Sequence, residues 1–117
     1  MPLIPEEAIP YFEKMIYLPM VFTILEKDRT IIEKAPFKLN RPYLTLVEGA
    51  AKQVQKELKD THVYMRRHSM KVIRGEGDDM FTEYVFFHLW YEEHRRYLNV
   101  RLRNRVEELL SMYLTIT

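Results

Sequence analysis

Five arginines, Arg95, Arg96, Arg101, Arg103 and Arg105, lie within eleven residues near the carboxy terminus. Such density points to phosphate or carboxylate recognition, so the first question is where the guanidinium groups face. On one continuous helix from about Trp90 to Tyr113, the chain turns about 100° per residue. Tyr91, Leu98, Leu102, Val106, Leu109 and Tyr113 then share one face. Arg96 and Arg103 fall on one flank of that stripe, Arg101 and Arg105 on the other, and Arg95 within it. Flanking cations lay their stems over a core and keep their heads wet. Helical spacing also offers the pairs Glu92–Arg96, Arg103–Glu107 and Arg105–Glu108. The plain reading is a solvated face, and it rests on the segment being one helix.

Two constellations survive that reading. Trp90, His94, Arg101 and Arg105 project within about 60° of one another on the same helix. Arg101 and Arg105 are like charges one turn apart, which is unfavourable unless an anion lies between them. The strip is a candidate site for an anion or a partner's carboxylates; alternatively, acids from residues 76–83 of the same chain fill it. Arg29 and Arg95 both sit in apolar stripes, and Glu26 and Glu33 flank Arg29 at helical spacing. A charge on a core face must be paired and hydrogen-bonded. Glu26, Arg29, Glu33 and Arg95 are therefore a candidate buried polar network, unless the arginines reach past the core edge into water.

Metal and catalytic signatures are thin. The four histidines are His62, His68, His88 and His94; the first two are six residues apart, and so are the last two. Neither Glu-x-x-His nor His-Glu-x-x-His occurs. His88 and Glu92 would share a helix face if the last helix began early. Gly49, Gly75 and Gly77 form no phosphate cradle, and no nucleophile elbow is present. The run Gly75-Glu76-Gly77-Asp78-Asp79 lacks the spaced acids of a calcium loop and reads as a turn. No catalytic, cofactor-binding or metal-ligating residue is assigned, and no cofactor is expected.

The 117 residues fit one helical domain, 1–117, with an adequate supply of core residues: 47% are hydrophobic and 13% aromatic. Cysteine is absent, which removes disulfides and thiolate sites and fits a reducing compartment. The amino terminus carries Glu6 and Glu7 where a signal peptide would be basic. The longest uncharged apolar run, Met15 to Leu25, is about half a bilayer span and contains Pro19. A cytoplasmic protein with no membrane partner is expected. Net charge is +1, but it comes in blocks. Residues 62–75 carry Arg66, Arg67, Lys71 and Arg74 with no acid, and residues 76–93 carry six acids with no base. Opposite blocks of this kind usually neutralise each other.

The elements that would position these groups are three helices. The first should run from about Glu7 or Pro10 to Lys34, with Leu18, Val21, Phe22, Leu25 and Ile32 on one face and a kink at Pro19. The second should follow Asn40 as N-cap with Pro42 in its first turn. Its stripe is Tyr43, Val47, Ala50, Ala51, Val54, Leu58, Thr61 and Met65, opposite a solvated face of Lys52, Lys56, Lys59 and Arg67. Met70–Arg74 and Phe81–Phe87 flank the glycine turn and read as a β-hairpin, or else a helix begins near Phe81. The expected class is mainly α: three long amphipathic helices packed as a bundle, with a small β-hairpin between helices 2 and 3.

Three stretches are distinctive together: Ile16-Tyr17-Leu18-Pro19-Met20-Val21 with Leu25-Glu26-Lys27-Asp28-Arg29, Ala35-Pro36-Phe37-Lys38-Leu39, and Tyr91-Glu92-Glu93-His94-Arg95-Arg96-Tyr97-Leu98-Asn99 running on through Arg105. They resemble a small family of uncharacterised proteins from spore-forming Gram-positive bacteria, the YhjD-like proteins. The resemblance implies a bacterial cytoplasmic protein with a link to sporulation and no known activity, and it brings no catalytic residues. The functional expectation is a non-enzymatic protein-interaction module, self-associating or binding another protein through helix faces rich in Tyr and Met. The alternative is a nucleic-acid-binding accessory protein using Arg101, Arg105, Arg66 and Arg67, with the hairpin as a wing.

Overall fold

The computed structural model describes residues 4–115. After a 3-10 turn, Glu6–Ala8, the chain forms α1 (Ile9–Lys34), α2 (Arg41–Arg67), β1 (Met70–Gly77), β2 (Phe81–His88), β3 (Tyr91–Leu98) and α3 (Asn99–Thr115). The strands make one antiparallel sheet in the order β1-β2-β3. The architecture is α+β, and the expected three-helix bundle with a small hairpin is wrong.

The error lies in residues 90–98. Read at 100° per residue, Tyr91 and Leu98 join the stripe of α3. In the fold Tyr91–Leu98 pairs along its whole length with β2, from Phe81↔Leu98 to His88↔Tyr91. Tyr91, Glu93, Arg95 and Tyr97 lie on the sheet face that looks at the helices, and Glu92, His94, Arg96 and Leu98 on the other. Charges on both faces hide the two-residue period. Asn99, a strong helix-start residue, marks where the helix begins.

The two long helices follow local rules. Leu18, Val21 and Leu25 of α1 are buried, and Phe22 and Ile32 are half-buried. Pro19 stands inside α1, and the Thr23 hydroxyl donates to its carbonyl oxygen at 2.9 Å. In α2, Val47, Ala50, Ala51, Val54, Thr61 and Met65 are buried, and Lys52, Lys56, Lys59 and Arg67 are exposed. Tyr43 is not part of the stripe: it is exposed against Phe37, and Leu44 is buried instead. Asn40 holds the N-cap position, but its side chain makes no capping bond.

The core has two parts. Ile4, Ala8, Phe12 and Ile16 pack with Met65 and with Met70, Tyr84 and Phe86 of the sheet. Phe12 and Phe86 stack at 4.5 Å between ring centroids and are fully buried. Leu18, Val21 and Leu25 pack with the first half of α2 and with Val106 and Tyr113 of α3. Tyr17 and Met20 touch both parts. With its preceding turn, α1 is long and apolar enough to cross a bilayer, yet its apolar face supplies the centre of this core.

Candidate functional site

Between α1, α3 and the edge of the sheet lies a cleft of about 800 Å³. Its floor is apolar: Met20 and Ile24 come from α1, and Leu102, Val106 and Leu110 from α3. The sheet contributes Arg74, Thr82 and Tyr84, and Arg103 and Glu107 line the side formed by α3.

One end of the cleft is tied down by side chains far apart in sequence. The Asp78 carboxylate accepts the backbone N–H groups of Met80 and Phe81 at 2.8 and 2.7 Å. These two bonds hold its carboxyl below the usual carboxylate range. The Asn99 amide donates to the Asp78 carbonyl at 2.8 Å and accepts the Thr82 hydroxyl at 2.6 Å. The first residue of α3 is thereby bolted to the β1–β2 turn. This geometry fixes where α3 starts, and with it the direction in which Leu102, Val106 and Leu110 face.

Charge at the cleft is uneven. Arg74 and Arg103 are exposed, and neither has a carboxylate within 4 Å among the described residues. The expected Arg103–Glu107 pair is therefore open, whereas Arg105–Glu108 is present at 3.8 Å. Tyr84 is nearly enclosed. Burial pushes its phenol up, and Arg74, its cross-strand neighbour, pulls the other way. Asp78 and Glu107 bring carboxylates to the same cleft, Asp78 being turned onto backbone N–H groups. An apolar floor with two guanidinium groups outside any ion pair therefore suits an amphipathic guest whose acids meet Arg74 and Arg103.

The expected anion strip does not form on one helix. Trp90 sits in the β2–β3 turn and His94 on the outer face of β3, while Arg101 and Arg105 lie exposed on α3. His94 bridges two acids. Its Nδ1 lies 3.0 Å from Glu83 and its Nε2 2.7 Å from Glu92, and these bonds raise its pKa. The polar network is also divided. Arg29 pairs with Glu26 at 3.6 Å and Glu33 at 3.5 Å on its own helix. Arg95 pairs with Glu93 on β3 and lies 5.4 Å above the Phe86 ring. Arg96, expected to pair with Glu92 along a helix, is instead 4.2 Å above Phe81.

His88 and Glu92, a helix pair in the early-start reading, are on adjacent strands and opposite faces. Among the described residues, no group of three or more metal-ligating side chains converges. Tyr97 donates to Glu13 at 3.1 Å, and burial together with that carboxylate pushes its phenol well up. Leu102 and Val106 are buried, as the stripe of the last helix requires. Sequence reasoning missed the cleft beside them because it did not set that helix against Arg74, Thr82 and Tyr84 of the sheet. The available signal was Asn99, which would have started α3 nine residues later than Trp90.

The class defined here is an α+β protein with a helical hairpin, a three-stranded meander and an amphipathic cleft where the last helix crosses. A sequence profile of the family described as "YhjD protein" matches residues 3–117, and the chain belongs to that family. It is 38% identical over 114 residues to an "Uncharacterized protein YhjD" of Bacillus subtilis (strain 168), spanning 97% of this chain and 95% of that protein. No solved structure matches the chain.

Proposed function

We propose that the chain is a non-enzymatic, intracellular protein-interaction module that receives an apolar, acid-flanked helical segment in the cleft, a second copy of the chain being the first partner to test. The supporting observation is the apolar floor of Met20, Ile24, Leu102, Val106 and Leu110 beside the unpaired Arg74 and Arg103. A groove of this kind takes an amphipathic helix by its apolar face while rim cations meet the helix's acids.

Light scattering over a concentration series tests this reading. The wild-type mass should rise with concentration, whereas Arg103→Glu and Leu110→Glu should stay monomeric. A wild type that stays monomeric throughout, with no partner captured at the cleft, would sink it. A link to sporulation belongs to the same proposal, and sporulation frequency in a deletion strain tests it. The nucleic-acid reading has weaker support. Arg95 and Arg96 lie on opposite faces of the sheet and Arg103 lines the cleft, so the five arginines make no common ridge.

A further inference from the structure

The end of the sheet away from the cleft is built differently. Two residues that are not glycine have left-handed backbones, Ser69 (φ 53°) and Leu89 (φ 58°). They are joined by a hydrogen bond from the Leu89 N–H to the Ser69 carbonyl at 2.9 Å. Ser69 follows α2, where such a conformation is common at a helix end. Leu89 has no such excuse: a side chain at positive φ is strained, and glycine or asparagine would fit the two-residue turn better. Leu89 is also 51% exposed, so core packing does not explain it. Beside it Trp90, the one tryptophan, is 85% exposed, and Tyr91 is exposed as well. Strain that packing does not repay is a mark of function.

Three cations lie near this tip in the chain, the Arg66 guanidinium being turned back along α2 to 3.1 Å from the His62 Nε2. Arg66 and Arg67 end α2, and Lys71 pairs across to Phe87, two residues before Leu89. All three are exposed, with no carboxylate within 4 Å among the described residues. The nearby acids Glu92 and Glu93 are engaged with His94 and Arg95.

We infer that the Leu89–Trp90 tip is a docking point for an anionic lipid surface, with Arg66, Arg67 and Lys71 facing the headgroups. Area decides against a protein as the occupant. A stable protein interface buries about 800 Å² per partner, whereas an aromatic side chain supplies only about 150–250 Å². One tryptophan, a half-exposed leucine and a tyrosine are too little for that. They are enough for a bilayer, where a few apolar side chains enter the headgroup boundary and each cation adds about fivefold in affinity. Tryptophan and tyrosine are the residues that favour this boundary. The proposal concerns surface contact and not a span, and it stands apart from the cleft.

The test uses the full chain with phosphatidylcholine vesicles, with and without about a third phosphatidylglycerol. Trp90 emission should shift to the blue and resist aqueous quenchers only with the anionic vesicles. Leu89→Asn should keep the fold, as read by circular dichroism, and lower the bound fraction in sedimentation. Leu89→Ser with Trp90→Ser should abolish binding. Arg66→Gln, Arg67→Gln and Lys71→Gln together should weaken it by about a hundredfold. An unshifted Trp90 emission, or vesicle binding that survives in the double serine variant, overturns the proposal. A blue shift that grows with protein concentration without lipid also overturns it, and so does duplex DNA binding that needs the cations but not Leu89 and Trp90.

Discussion

The two ends of the sheet close in opposite ways. At the β1–β2 end, Asp78, Thr82 and Asn99 bind one another and the local backbone, every one of these polar groups has a partner, and no backbone is strained. At the β2–β3 end, Leu89 is held at positive φ, Trp90 stands in solvent, and the buried Nδ1 of His88 has no hydrogen-bond partner. Both turns reverse the chain over a few residues. One gives up freedom to seat α3; the other gives up stability to hold apolar side chains outside. Where a turn is over-bonded it positions an element, and where it is strained it presents a surface.

The comparison can be broken most severely at its common support. Phe86→Ala removes the ring stacked on Phe12 and should cost about 3–5 kcal/mol in urea unfolding, loosening both ends together. Asn99→Ala should destabilise by about 1–3 kcal/mol, because the Thr82 hydroxyl and the Asp78 carbonyl each lose a partner. Hydrogen exchange should then quicken at the start of α3 and not at the Leu89 turn. The opposite sign is expected at the other end. Leu89→Asn relieves the left-handed strain and should raise stability by up to about 1 kcal/mol. A loss of stability in that variant would show that Leu89 is packed after all.

The smallest effects are electrostatic. The His94 pKa is raised by Glu83 and Glu92. Its contribution to stability is therefore fully present below the unfolded value of about 6.5 and fades as pH rises through the raised folded value. Compared with His94→Gln, wild type should gain on moving from pH 8.5 to pH 6, as read by paired thermal melts. Asp78 behaves in the opposite sense. Its pKa is lowered in the fold, so its contribution is present above the ordinary carboxylate value and is lost as pH falls through the lowered one. Melts of Asp78→Asn against wild type should converge in acid.

Much of the helical layer was legible from residue order. The α2 stripe from Val47 to Met65 and the α1 stripe at Leu18, Val21 and Leu25 lie on buried faces, because a period of 3.6 is written into adjacent turns. Met70–Arg74 and Phe81–Phe87 do pair across the turn. The third strand was not legible. Glu93 and Arg95 face inward and Glu92, His94 and Arg96 outward, so no apolar alternation announces it. The arginine strip was drawn on a single rod and the polar network joined that rod to α1 through Arg95, so both came apart when Tyr91–Leu98 became a strand and α3 began at Asn99.

By itself the sequence determined the two long amphipathic helices, the hairpin punctuation and the supply of cations, since each depends on neighbours within a few residues. The tertiary structure alone decided that Tyr91–Leu98 is a strand, that α3 begins at Asn99, that Arg74 and Arg103 meet at one cleft, and that Trp90 crowns an exposed turn. The physical reason is that a strand's hydrogen bonds and a cleft's walls come from residues distant in the chain. Their placement follows from pairing and packing that no local period records.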